Sequence, residues 1–128
     1  MSGPARAGLF LYARDLGCLA DFYQSFLGMA RLHASDELVV LESQDVQLIV
    51  HQIPLHIASG ITITTPPTPR EDSALKFFFT VPSISHARSM AVELGGGVLD
   101  GVYQGRGFRA SNAWDPEGNI FQVRESAA

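Results

Sequence analysis

The chain has 128 residues, 46% of them hydrophobic and 17% charged, with a formal net charge of -4 and a sequence pI of about 5.4. That is enough chain to bury a real core in a single domain, and the balance excludes a disordered segment. The absence of a basic stripe argues against nucleic acid as the partner. No apolar run is long enough to span a membrane and the N-terminus lacks a signal peptide's order, so a soluble cytoplasmic protein is expected.

In chain order, residues 8–14 (GLFLYAR) read as a strand, with Leu9, Leu11 and Ala13 on one face and Phe10 and Tyr12 on the other. Asp15 is placed to cap a helix. Leu19, Phe22, Tyr23, Phe26 and Leu27 then recur at helical spacing, and Gly28 sits where a left-handed cap ends the helix. Cys18, the single cysteine, excludes an intrachain disulfide and reads as a buried, inert thiol in the helix's first turn. Strands are expected over about 29–34, 37–43 and 46–53. In the last of these Val46, Leu48 and Val50 share one face, and Gln47, Ile49 and His51 the other.

Residues 54–74 are a linker or a long functional loop, because Thr65-Pro66-Pro67-Thr68-Pro69 suits neither a helix interior nor a central strand. Residues 61–64 are expected to form a short edge strand within it. The opening pattern then returns. Residues 76–81 (KFFFTV) read as a strand, Ser83 as an N-cap, and Ile84, Ala87, Ala91 and Leu94 as a helical stripe closed by Gly95-Gly96-Gly97. Strands follow at about 98–103, 107–114 and 119–125, with a turn at residues 104–107. Before the last strand, Asp115-Pro116-Glu117-Gly118 reads as a type I turn, in which the Asp115 side chain bonds back to the turn's amides.

The order is strand, helix, three strands, linker, and the same again. It is an internal duplication, and it lacks the helix after nearly every strand that a doubly wound parallel fold requires. Tyr12-Ala13-Arg14-Asp15-Leu16, Phe22-Tyr23, Leu27-Gly28-Met29, Leu94-Gly95-Gly96 and Asp115-Pro116-Glu117-Gly118-Asn119 stand in an order and spacing that resembles the vicinal oxygen chelate superfamily. That superfamily holds glyoxalase I, extradiol dioxygenases, fosfomycin-resistance enzymes and bleomycin-binding proteins. The resemblance runs from about residue 8 to 125. It implies an α+β fold in which two βαβββ modules form an open, cup-shaped mixed sheet with helices on the outer face. Module one would span about 8–53, the linker about 54–74 and module two about 75–125, all in one domain over 1–128.

The resemblance also places the four metal-ligand positions of the metal-dependent members at Gly8, Gln47, Lys76 and Gln122. Glycine offers no donor, an ammonium repels a divalent cation, and a neutral amide binds Zn²⁺ poorly. No metal and no cofactor are therefore expected. His33, His51, His56 and His86 form no metal motif.

Alternation divides the strands into two sets. Leu9, Leu11, Val46, Leu48, Val50, Phe77, Phe79, Val81, Phe121 and Val123 are uniformly apolar and belong under the helices. Phe10, Tyr12, Gln47, Ile49, His51, Lys76, Phe78, Thr80, Gln122 and Arg124 mix aromatics with amides, a histidine and two cations. This second set is predicted to line one ligand cavity. Within it, each glutamine is a pocket hydrogen-bonder or a polar residue on a solvated face. Lys76 pairs with an anion or snorkels outward, and His51 is an acid–base group or a strand-end histidine. Trp114 stacks a ligand or fills the core.

The reading that results is a metal-independent protein that binds a small organic, anionic or aromatic ligand, and that forms a homodimer. One alternative is a lyase, isomerase or dioxygenase with an atypical site. The other is a regulatory or structural dimer with a vestigial pocket.

Overall fold

A computed structural model describes residues 4–127 of the protein. The chain divides after Thr62 into two units, each with its own sheet. The first unit contains β1 (Gly8–Ala13), α1 (Leu16–Leu27), β2 (Ala30–Ala34), β3 (Leu38–Glu42), β4 (Gln47–Gln52) and a short helix α2 (Leu55–Ala58). The second contains β5 (Phe78–Thr80), α3 (Ile84–Glu93), β6 (Gly97–Val98), β7 (Tyr103–Gly105), β8 (Phe108–Trp114) and β9 (Ile120–Ser126). The strand orders repeat, β1-β4-β3-β2 in one unit and β5-β9-β8-β6 in the other, where β7 also pairs with β8. In each unit the first strand runs parallel to the last, and the other pairs are antiparallel. The fold is α+β with two open mixed sheets, and the duplication read from the order of elements is present.

Local chemistry sets the helices. Asp15 accepts from the Cys18 amide at 3.2 Å at the start of α1, and Gly28 ends that helix in the left-handed region with φ 64. The buried stripe Leu19, Ala20, Phe22, Tyr23 and Phe26 packs α1 on β3 and β4. Phe22 stacks on Phe26 at 5.1 Å and meets Tyr23 edge-on at 5.0 Å. Burying each such ring stabilises the fold by roughly 1.5–3 kcal/mol relative to exposure. Ser83 caps α3 by accepting from the His86 amide at 3.1 Å, and Ile84, Ala87 and Ala91 form its buried face. Cys18 is exposed, not buried as expected, because it falls between the stripe residues and points outward from the helix.

The linker holds the other departures. Pro54 opens α2, which the sequence pattern does not announce. Residues 61–64 form no strand, because the Ile61 amide donates to the Ala58 carbonyl at the end of α2 and the Ile61 carbonyl accepts from Arg14. Strand β5 is shorter than expected and leaves Lys76 and Phe77 ahead of it. The Phe77 carbonyl still reaches β9, accepting from the Gln122 amide at 2.9 Å. The strand expected over 98–103 is two short pieces, β6 and β7, both on β8. The β7–β8 turn is Arg106-Gly107, with Gly107 at φ 80.

The faces follow alternation. Leu48, Val50, Phe121, Val123 and Val81 are buried on the helix side, and Phe77 and Phe79 pack around Phe121 at 5.5 and 6.4 Å. The opposite parity in both sheets is open.

Candidate functional site

The second unit's open face begins at the turn that feeds β9. The buried Asp115 carboxylate accepts from the Glu117 and Asn119 amides at 2.9 and 3.0 Å, and from the Asn119 side chain at 2.9 Å. The Gly118 amide closes the turn on the Asp115 carbonyl at 2.9 Å. Gly118 adopts φ 84, and a Cβ there would lie 2.3 Å from the Thr68 carbonyl oxygen. The turn therefore holds the linker against itself and fixes the register in which β9 leaves it.

Down β9, Ile120, Gln122 and Arg124 face the open side opposite Trp114, Asn112 and Ala110. The Arg124 guanidinium carbon lies 3.7 Å from the Phe78 ring centre and 4.1 Å from that of Phe108, flanked from β5 and β8. Its Nε donates to Gln122 Oε1 at 2.8 Å. No other hydrogen bond of this guanidinium is present among the described residues. The Lys76 ammonium donates to Asn112 Oδ1 at 3.2 Å. Of the residues expected here, Phe78, Gln122 and Arg124 form one cluster, Lys76 stands beside it through Asn112, and Thr80 is the register partner of Arg124. Phe108 and Asn112 are the members that sequence reasoning missed. Their signal was available, since β8 alternates in register with β9.

The first unit's open face carries Phe10, Tyr12, Gln47, Ile49 and His51 on adjacent strands in register, Phe10 opposite Ile49 and Tyr12 opposite His51. Phe10 and Tyr12 stack at 6.3 Å, and Tyr12 lies 6.0 Å from the His51 ring. Gln47 donates to Glu42 Oε2 at 3.2 Å. His51 Nδ1 lies 3.0 Å from the Gln52 carbonyl, which can only accept, so the Nδ1–H tautomer makes this bond.

Trp114 pairs with Gly97 and lies on it: a Cβ at residue 97 would come within 2.2 Å of the indole ring. The tryptophan thus covers β6. A cavity of about 170 Å³ in the second unit is lined by Lys76, Asn112 and Ile120 together with the linker's end. A larger one of about 650 Å³ lies in the first unit between residues 4–7 and 42–46, and none of the expected site residues lines it.

The sequence matches the family model of the glyoxalase-like domain over residues 8–124. The chain belongs to the glyoxalase-like domain family. Solved structures agree at the level of fold. A glyoxalase/bleomycin resistance protein/dioxygenase family enzyme from Burkholderia phytofirmans superposes with a TM-score of 0.72 at 15% identity, covering 96% of this chain and 99% of that one. Lactoylglutathione lyase from Agrobacterium tumefaciens gives 0.62 at 20% identity over 98% and 97%. The fosfomycin resistance protein FosX from Mesorhizobium loti gives 0.65 at 14% over 99% and 95%. A search of curated proteins finds no significant match.

In this glyoxalase-like chain the positions implied for a metal do not suit one. Gly8 has no donor, and a Cβ there would crowd the Gln47 carbonyl at 3.1 Å. Gln122 Oε1, the atom that would ligate, already accepts from Arg124, Gln47 offers only a neutral amide oxygen, and Lys76 is a cation. Neutral amides are poor ligands for a divalent ion, and an ammonium repels one. Among the described residues, no three His, Cys, Asp or Glu side chains are grouped to hold one. No helix is long and apolar enough to cross a membrane.

Proposed function

We propose that this chain is a metal-independent, small-molecule-binding member of its family, and that its ligand carries an anionic group beside a planar or apolar body. One observation carries the reading: the Arg124 guanidinium is oriented by Phe78, Phe108 and Gln122 while its terminal amino groups keep their donors for a partner. A guanidinium ordered in advance loses little freedom on meeting a carboxylate, and its fork suits that group. The exposed ring of Phe78 offers a surface for the ligand's body.

The test is a thermal-shift titration with benzoate as the probe. Benzoate should raise the melting temperature. Arg124→Gln should weaken that response by about tenfold or more, the loss expected of a charge-assisted hydrogen bond. Arg124→Lys should recover only part of it. A wild-type protein that ignores benzoate and related aromatic carboxylates, or a glutamine variant that binds them equally well, rejects the reading.

A second reading, a lyase or isomerase, is favoured by His51, whose Nδ1–H bond to the Gln52 carbonyl leaves Nε2 as the ring's basic nitrogen. Turnover that survives a chelator and disappears in His51→Gln would favour it over simple binding.

A further inference from the structure

We propose that the cavity beneath residues 70–76 is a binding site for a small oxyanion, the group shared by phosphate monoesters and carboxylates. Its lining includes Arg70, Ser73, Lys76 and Asn112, with Glu71 as the one opposing charge. Its volume of about 170 Å³ is far more than one water needs.

The backbone at Arg70 and the Lys76 side chain are each anchored to the strands' side of the cavity. The Arg70 amide donates to the Gly118 carbonyl at 2.7 Å, which fixes the front of the segment to the turn. The Ser73 hydroxyl donates to the Leu75 carbonyl at 3.2 Å, and the Lys76 ammonium to Asn112 Oδ1 at 3.2 Å. The ammonium has further protons to give. The Arg70 guanidinium makes no hydrogen bond or ion pair among the described residues. In particular, no ion pair joins it to Glu71 beside it, and two cations against one carboxylate leave the lining net positive. Leu75, Leu99 and Ile120 form the apolar remainder of the wall. Two cations, one carboxylate, a hydroxyl and an amide around a small concave space suit a tetrahedral or planar oxyanion. They exclude a metal cation. The cavity adjoins the Arg124 cluster through Lys76 and Asn112 but does not use Arg124, so Arg70→Gln and Glu71→Gln test it apart from that cluster.

The experiment is an amide NMR titration of the full chain with inorganic phosphate and, in parallel, acetate, at constant ionic strength set with chloride. Saturable shifts are expected at Ser73, Lys76 and the Asn112 side-chain amide, and the tighter arm names the source of the oxyanion. Lys76→Gln and Arg70→Gln should each weaken binding at least about fivefold, the value of one unit charge at about 4 Å even in bulk water. Glu71→Gln should tighten it, because it removes the one repelling charge. Arg31→Gln, the same change in net charge on β2, should leave it unaltered. Shifts that follow chloride alone, or wild-type affinity in both cation variants, overturn the proposal. An unchanged or weakened Glu71→Gln variant does so as well, and that variant retains both cations.

Discussion

The carboxylate of Glu125 connects β9 to β8 and to the start of α3. Oε1 accepts from the Ile84 amide at 2.6 Å, and Oε2 accepts from Arg109 Nε and Nη2 at 3.0 and 2.7 Å. The bond from the Ile84 amide, and next that from the Arg109 guanidinium, hold the carboxyl below its usual range. A folded-state value below the unfolded one means that the stabilisation is present at neutral pH, above the unfolded value. It is lost as pH falls through the folded value. Glu125→Gln is therefore expected to lower the melting temperature at pH 7, and the gap from wild type should narrow as the solution is acidified through and below the carboxylate range. Melts followed by circular dichroism across pH 7 to 3 check this, and a gap independent of pH would show that the charge contributes nothing. At this scale Asp115 was legible, because a turn aspartate ahead of Pro-Glu-Gly has one local use. Glu125 and Asn112 were not, because their partners lie 41 and 36 residues away.

Among the elements, β6 is only two residues long, and it is held by the fit of Trp114 over Gly97. Gly97→Ala forces either the indole or the strand to move, and an overpacked contact of this kind costs about 1–3 kcal/mol. Urea unfolding should show that loss, and Trp114→Phe in the same chain should recover part of it by shrinking the ring. An unaltered midpoint would mean that the indole moves aside freely. The long elements were legible because two signals agreed on each: a cap with a stripe for α1 and α3, alternation with a turn for β4, β8 and β9. The short ones were not. α2 is a single turn without a period, and β6 and β7 are set by β8, not by any pattern of their own.

For the whole molecule, the exposed open faces carry the strongest consequence for assembly. Phe10 is 56% exposed, Tyr12 63% and Phe78 53%, and aromatic surface of this extent on a sheet is normally covered by a ligand or another chain. We propose a homodimer. Light scattering at micromolar concentration should give twice the 13.8 kDa chain mass, and a monomer mass refutes it. The division of each strand into a helix-covered and an open set was legible, because the apolar parity is unbroken through Leu48, Val50, Phe121 and Val123. Which open-face groups act together was not, since that depends on cross-strand contacts such as Arg124 with Phe108 and Lys76 with Asn112 that alternation cannot assign. The contact between Gly118 and Thr68 carries a consequence for the history of such a chain. The space that a side chain at 118 would need is filled by backbone of the linker, which no rotamer change can vacate. Drift at 118 is thus open only to lineages in which the Pro-rich segment has already rerouted, so the two stretches must be inherited as a matched pair.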